Sequence, residues 1–564
     1  MDSTNQSTGA EAMVRLLEAH GVRHIFGLCG DTSLPFYDAL ARLDHDMSHI
    51  LTRDERHAAY MADAYARLTG RVGICEGPSG GGATYIAPGL VEANESSVPI
   101  LAITTDVATT SAGRFPLTEL DQEALFRPLT KWNAVLDQAG ALPRTVRRAF
   151  REMTSGRPGS AHLALPFDVQ KAPVPEEEIW GDATFGQFPA NPGMMSDREA
   201  DVAAFAAQLL NAENPVVICG GGVVLSGAEA VLQKIAETLD LPVATTVSGQ
   251  GAIPETHANA VGVVGSNGGR AGTRALVDAS DCVLFIGCRA GSVTTERWRS
   301  PPPTANILHI DSDPAVIGAS YRTPHYLLGD VRCCLEELLP HLEGASKTFN
   351  GAARAAEART AKEAGLRPLA DSVATPIKPE RVIDALNRLT NDDTVVCADP
   401  GTPCPYFSAY WTIRQPGRHF ITNRAHGALG YALGASIGAA VARPEAKVIC
   451  AMGDGSFGMS VGEFETITRY NLPITTIVFS NSVYGWIKAG QKSGFGARYF
   501  SVDFNRTDHA AVAAAFGIRS WQVEDPRDLD AALTAALAHD GPTLVDVIAQ
   551  PLQEAEAPVS EWVA

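Results

Sequence analysis

Short β-branched and apolar runs alternate with helical patterns along almost the whole chain, and no other feature constrains the fold as strongly. Neighbouring parallel strands need a crossover, usually a helix, so the alternation predicts α/β domains with mostly parallel sheets. The first group of runs is HIFGL (24–28), VGICEG (72–77), PILAIT (99–104) and AHLALP (161–166). A helix precedes it, with Thr8 and Glu11 as a capping box and Ala10, Met13, Val14 and Leu17 along one apolar face. The second group is PVVICGGGVV (215–224), LPVATT (241–246), CVLFIG (282–287) and ILHIDSDP (307–314). The third is TVVCA (394–398), KVICAM (447–452), ITTIVFS (474–480) and TLVDVIA (543–549). The Pro-, Gly- and acid-rich stretch 171–193 reads as a linker, and the polar, Ala-rich stretch 343–376 as a second connection. The expectation is three doubly wound domains, over 1–175, 195–345 and 377–564. The outer two are similar in size and style. The opening MDSTNQSTGA is small and polar and reads as disordered.

Charge and cysteine usage exclude several function classes. The chain carries 45 basic and 64 acidic residues, a net charge of −19, with no Lys/Arg-rich run. Nucleic acid and anionic membranes are thereby disfavoured as partners, and a small-molecule substrate is expected. None of the ten cysteines forms a CxxC or a zinc spacing, and Cys219 and Cys450 lie in apolar runs as small buried hydrophobes. This usage suits a reducing cytoplasm. No leader pattern opens the sequence, and the most apolar window, 425–452, is broken by Arg443, Glu445 and Lys447.

The most informative segment is KVICAMGDGSFGMSVGEFETI. A buried strand ends at Met452, Gly453, Asp454, Gly455 and Ser456 follow, and a helix pattern starts near Val461. Ligands of open α/β sheets bind outside the carboxyl ends of strands, where glycines let backbone N–H groups approach phosphate oxygens. Asp454 adds a hard anionic oxygen of the kind Mg²⁺ takes alongside substrate phosphates. The next strand ends at Asn481-Ser482-Val483-Tyr484-Gly485, placing Asn481 27 positions after Asp454. The Asn481 amide oxygen and the Val483 carbonyl complete a magnesium shell with a diphosphate between the two strand ends. A lone Gly-Asp-Gly reads more readily as a conformational turn; the paired Asn481 moves the reading to a metal–diphosphate site.

This pairing resembles the signature of thiamine-diphosphate (ThDP) enzymes, and the similarity spans nearly the whole chain. It looks closest to the acetolactate-synthase members of the superfamily that also holds pyruvate oxidases and 2-oxo-acid decarboxylases. The resemblance implies a pyrimidine-binding first domain, a central domain and a diphosphate-binding third, with the ThDP-binding fold in the first and third. It implies that Glu55, in LTRDERHAAYMADAYARLTG, bonds the aminopyrimidine and activates the thiazolium. A buried carboxyl in that role has a raised pKa. Read without the resemblance, Glu55 is a first-turn acid complementing a helix dipole. NRAHGALGYALGASIGAA (423–440) is similar to the segment that cups the aminopyrimidine, with Leu429 as the apolar wedge and the Gly427 carbonyl as an acceptor. Gly401 and Thr402 correspond to the turn cradling the diphosphate from the other side; Gly453, Gly455, Ser456, Tyr484 and Gly485 complete the cofactor contacts. In the family the cofactor lies between subunits, so Glu55 and Asp454 would come from different chains of a homodimer or homotetramer.

The substrate side departs from the family. Ser480 stands where the family usually has a first Asn. Asp31, in FGLCGDTSLPFYDAL, matches an acid of several decarboxylases, but their following His-His pair is absent. Leu117-Thr118-Glu119 replaces the synthase Phe-Gln-Glu, and Gly490 stands where the synthase has a Trp. His57 and His426 are acid/base candidates; Tyr484, Trp486 and Gln491 are candidates for lining the pocket. CGGGVVLSGA, GCRAGSVTT and HIDSDPAVIG resemble segments binding FAD or ADP, with Arg289 and Asp311 as the contacts to test. The resulting expectation is an acetolactate-synthase-like enzyme that decarboxylates a 2-oxo acid, then protonates the product or joins it to a carbonyl acceptor. A lyase for 2-hydroxy ketones or 2-hydroxyacyl-CoA is the alternative, and a non-catalytic ThDP-binding relative a further one.

Overall fold

The computed structural model describes residues 6–188 and 198–562. Its framework is three six-stranded sheets. The first contains β1 (His24–Gly27), β2 (Ser48–Leu51), β3 (Gly73–Gly77), β4 (Ile100–Asp106), β5 (Trp132–Val135) and β6 (Ala161–Pro166). The second contains β7 (Pro215–Cys219), β8 (Val243–Thr245), β9 (Ala260–Val263), β10 (Cys282–Ile286), β11 (Asn306–Asp311) and β12 (His325–Leu328). The third contains β13 (Val395–Ala398), β14 (Phe420–Thr422), β15 (Val448–Gly453), β16 (Ile474–Ser480), β17 (Arg519–Val523) and β18 (Thr543–Ile548). All pairings within these sheets are parallel, as the alternation predicts.

The first sheet runs β2-β1-β3-β4-β6-β5 and the third β14-β13-β15-β16-β18-β17, which is one strand order used twice. The central sheet runs β9-β8-β7-β10-β11-β12. That is the order of dinucleotide-binding folds, with the switch point between β7 and β10.

Helices that bear on the site are α1 (Gly9–Ala19), α2 (Glu55–Thr69), α3 (Gly81–Glu95), α4 (Gly351–Ala370), α5 (Tyr431–Ala442), α6 (Asp454–Ser460) and α7 (Gly485–Gly494). The expected Thr8–Glu11 capping box opens α1: Glu11 N–H donates to Thr8 Oγ1 at 3.2 Å and Thr8 N–H to Glu11 Oε2 at 2.7 Å.

Three expectations are corrected. Of the opening segment, residues 1–5 lie outside the described residues, but Gln6–Thr8 is ordered by antiparallel pairing with Pro173–Pro175. The same pairing gives the expected linker structure at its start; Phe188 is buried and its N–H donates to the Gly70 carbonyl, while 189–193 lie outside the described residues. The connection 343–376 contains the 20-residue helix α4, because its alanines favour helix even where no apolar face marks one. The helix expected near Val461 is present, as the tight turn Val461–Glu463 leading into Phe464–Arg469, and a further helix, Asp454–Ser460, precedes it directly from β15.

The chain divides into two compact units. One comprises Met1–Asn191, Ala425–Pro444 and Ser460–Tyr470; the other Pro192–Arg424, Glu445–Met459 and Asn471–Ala564. In the first unit, α2 is enclosed by glycines on three elements. A Cβ on Gly73 of β3 would lie 2.2 Å from the Ala62 carbonyl oxygen, one on Gly89 of α3 2.2 Å from Ala59 Cβ, and one on Gly438 of α5 2.2 Å from the Met61 carbonyl oxygen. Ala58, Ala59, Ala62 and Ala66 are fully buried in this packing. The small residues let helix backbones approach closely, so Gly438→Val should cost on the order of 3 kcal/mol by overpacking. A fall in the thermal midpoint relative to the wild type would report it.

Candidate active site

In the second unit the carboxyl ends of β13, β15 and β16 gather the residues read as the diphosphate site. β15 pairs in register with both β13 and β16, so the loops after the three strands share one edge of the sheet. Asp454 is buried at the start of α6. Its Oδ2 accepts the N–H groups of Asn481 at 2.7 Å and Ser482 at 2.6 Å, and its Oδ1 accepts Gly455 N–H at 2.9 Å. Burial raises its pKa, and the three backbone donors offset part of that rise. A carboxylate offers about four lone-pair directions, so one remains for a cation.

Asn481 stands beside it, half-buried, and its Oδ1 and Nδ2 are buried without a hydrogen-bond partner among the described residues. Val483 pairs with Asp503 through Ser482 carbonyl and Tyr484 N–H, a bridge that does not use the Val483 carbonyl. Gly453 faces open space, while the Tyr484 ring lies against Gly455, where a Cβ would sit 2.7 Å from it. A Cβ on Gly485 would meet Thr402 Oγ1 at 3.5 Å, which brings the turn after β13 against the turn after β16. Buried Ser456 completes the set.

The first unit holds the other half of the predicted residues. Glu55 opens α2 behind the N-cap Asp54 and is buried, 8% exposed, with its pKa raised by that burial. Room for it comes from Gly77 and Gly82: added Cβ atoms would lie 3.3 Å from Glu55 Cγ and 3.0 Å from its Oε1. The segment 425–429, read as the aminopyrimidine cup, is anchored by Glu92, which accepts the N–H groups of Ala425 at 3.1 Å and His426 at 2.7 Å. Arg67 binds both Asp63 and Glu92, and the Tyr431 hydroxyl donates to Asp63. Gly427 has φ +73°, Leu429 is half-buried, and His426 is exposed. His57 is enclosed, with Nδ1 3.4 Å from Glu463 Oε1 and Gly434 packed on its ring. Asp31 is exposed on the turn after β1, capping Thr32 N–H at 2.9 Å.

Comparison with known proteins places this geometry. Residues 7–125, 202–338 and 399–547 match the N-terminal TPP binding, central and C-terminal TPP binding domains of thiamine pyrophosphate enzymes. The chain is 35% identical to a probable acetolactate synthase large subunit of Methanococcus aeolicus, over 96% of this chain and 92% of the relative. It is 31% identical to the acetolactate synthase isozyme 3 large subunit of Escherichia coli, over 94% and 92%, and 30% identical to an acetolactate synthase of Arthrospira platensis, over 96% and 94%. The chain belongs to the thiamine pyrophosphate enzyme family. As a member of that family it is a ThDP-dependent enzyme with carboligase chemistry, built on three α/β domains.

Within this ThDP enzyme the Ser480 substitution has a structural counterpart. Ser480 bonds His509 Nδ1 at 2.9 Å and Asp546, and Gln522 donates to Asp546 at 3.1 Å. This network under the Asn481 turn carries no local signal, because its members come from four separate segments. The Gln491 amide is taken up at both ends by the Phe500 backbone, at 3.1 Å each. Trp486 packs against Trp562, ring centroids 5.1 Å apart. Glu119 accepts Gly113 N–H at 2.6 Å and so braces the loop that replaces the synthase Phe-Gln-Glu.

In the central domain the glycine-rich turn after β7 packs backbone-to-backbone on the turn after β10. A Cβ on Gly220 would lie 2.1 Å from the Gly287 carbonyl oxygen and one on Gly222 2.7 Å from Gly287 Cα. Arg289 is exposed and Asp311 is buried at the end of β11.

Among the described residues no group of three His, Cys, Asp or Glu side chains forms a metal cage, and no helix is long and apolar enough to cross a membrane. The Asn481 amide, beside Asp454 and without a partner among the described residues, has the oxygen chemistry that Mg²⁺ takes alongside phosphate.

Proposed function

We propose that this protein is a ThDP- and Mg²⁺-dependent enzyme that decarboxylates a 2-oxo acid and then protonates the product or joins it to a carbonyl acceptor. The observation that carries the reading is the Asn481 amide, its atoms buried without a partner among the described residues, beside an Asp454 carboxylate that two N–H groups of the same turn hold in place. Asp454, Asn481 and the Val483 carbonyl would hold the metal. Gly401, Thr402, Gly453, Gly455, Ser456, Tyr484 and Gly485 would cradle the diphosphate, while the Gly427 carbonyl and Leu429 would orient the aminopyrimidine. Bound ThDP supplies the nucleophile and the electron sink. Glu55 would hold the proton at the aminopyrimidine nitrogen, and exposed Asp31 and His426 would exchange protons with substrate. Enclosed His57 would act through Glu463.

The domains would divide as pyrimidine-binding 1–175, central 195–345 and diphosphate-binding 377–564. The protein would act in the cytoplasm as a homodimer or homotetramer with the site shared between chains. The central strand order supports a nucleotide, FAD or ADP, with Arg289 and Asp311 as contacts; flavin absorbance or released ADP in the purified protein would show it.

Chelator-treated protein should regain activity only when Mg²⁺ and ThDP are both returned, in a panel of 2-oxo acids read by CO₂ release and product analysis. Full activity without metal would overturn the magnesium assignment. The missing amide at Leu117-Thr118-Glu119 favours testing the lyase reading in the same panel with 2-hydroxy ketones and 2-hydroxyacyl-CoA. Turnover confined to those substrates would replace the decarboxylase reading, and ThDP binding without any turnover would point to a non-catalytic relative.

A further inference from the structure

Glu76 is the last residue but one of β3, fully buried, and has no place in the chemistry described above. Gly27 makes room for it, since a Cβ there would lie 2.8 Å from Glu76 Oε2. Among the described residues its partners are hydroxyls alone, Ser33 Oγ at Oε1 and Tyr37 at Oε2, each at 2.7 Å. The titratable groups around it are Glu55, Tyr37, Cys29, Cys75 and, through the Tyr37 hydroxyl, His49. None is a lysine or arginine, and burial holds His49 down at about 4, so it is neutral at pH 7. A fully buried carboxylate with no cation beside it is strongly disfavoured and takes up a proton instead.

Glu76 also heads a continuous chain of hydroxyls. Ser33 Oγ lies 3.3 Å from Thr105 Oγ1, Thr105 Oγ1 2.8 Å from Thr32 Oγ1, Thr32 Oγ1 3.1 Å from Ser79 Oγ, and Ser79 Oγ 2.7 Å from Thr118 Oγ1. The chain therefore runs from the neighbourhood of Glu55 to the half-exposed loop that replaces the synthase Phe-Gln-Glu. Thr118 itself is held at φ +70°.

We propose that Glu76 is a positioning residue that stores a proton as a neutral carboxylic acid and delivers it to substrate through Ser33, Thr105, Thr32, Ser79 and Thr118. In the step, the O–H bond of Glu76 breaks as Ser33 Oγ takes its proton. Each hydroxyl passes its own proton to the next, and Thr118 gives one to a basic atom of the substrate. Glu76 is left as a carboxylate, and the reverse sequence restores it from water. No oxidation state changes and no other reactant is needed. The proposal rests on the reading that substrate is turned over in this unit beside Glu55.

Burial, with Glu55 nearby adding to it, pushes Glu76 up to about 8. Between the ordinary carboxyl value of 4.5 and 8 the folded protein thus keeps a proton that the unfolded chain has released. Stability should fall as pH rises through that window.

The test uses full-length protein, Glu76→Gln and Glu55→Gln. Infrared difference spectra at pH 7 should show the C=O stretch of a neutral carboxylic acid that Glu76→Gln removes and Glu55→Gln keeps, without any cofactor or turnover. The variant's thermal midpoint should fall less than the wild type's between pH 6 and 8, and its kcat should drop about 10²-fold with little change in KM. Should Glu76→Gln fail to fold, Ser33→Ala and Thr105→Val cut the chain in the middle and should lower kcat while keeping the infrared band. A band insensitive to Glu76→Gln, or a chain-cutting variant with wild-type kcat and pH profile, would overturn the relay. Loss of all turnover in Glu55→Gln with the band intact bears on the proposed activation alone, so the two readings fail separately.

Discussion

Glu55→Gln should lower turnover by about 10³-fold while ThDP and Mg²⁺ still bind with nearly wild-type affinity. Gln matches the volume of Glu, so the space made by Gly77 and Gly82 stays filled and α2 keeps its start behind the N-cap Asp54. What disappears is a buried carboxyl with a raised pKa, the group proposed to hold a proton at the aminopyrimidine nitrogen. Cofactor titration by calorimetry beside steady-state kinetics separates the two effects. Wild-type turnover would remove Glu55 from the mechanism, and loss of cofactor binding would make it a scaffold residue.

Asp454→Ala should abolish measurable ThDP binding at millimolar Mg²⁺ and lower the stability of the second unit. The carboxylate satisfies the N–H groups of Gly455, Asn481 and Ser482. Leaving a buried donor unsatisfied costs about 1–3 kcal/mol for each group. Asp454→Asn keeps an acceptor oxygen but not the charge, so it should recover most of the thermal midpoint and little of the affinity. If the Asn variant bound cofactor as well as the wild type, the cation could not depend on that carboxylate.

The central strands were legible and most sheet edges were not. Interior strands of parallel sheets are buried on both faces and read as continuous apolar runs, as β4, β6 and β16 do. β5, β12 and β17 are edge strands with mixed burial, and they carry no such run. β9 and β14 are edge strands too; they are better buried but short, four and three residues, and β9 is interrupted by Gly262. The Asp454–Asn481 pair was legible because both residues sit at ends of strong strands. Glu92 and Glu76 were not, since each takes its meaning from partners far away in sequence, Ala425 and His426 for one and Ser33 and Tyr37 for the other. Glu76 did leave a trace: an acid inside VGICEG has to be partnered or neutral once that run is an interior strand.

The strand order shared by the first and third sheets also relates α2 to α5. Each follows the second strand of its sheet, β2 or β14, and each lies in the same packed unit, with Gly434 and Gly438 of α5 against His57, Tyr60 and Met61 of α2. The helix pair thus joins, within one unit, the pieces that follow the corresponding strand of two sheets with the same order. Glu55 enters one copy of that position, and Gly427 and Leu429 enter the other. The strand that ends at Gly77 in the first sheet likewise corresponds to the one that ends at Gly453, yet only the latter is followed by Asp454. Under the proposed function equivalent loops take complementary tasks, so a residue transplanted between the copies would land in the right frame and the wrong chemistry.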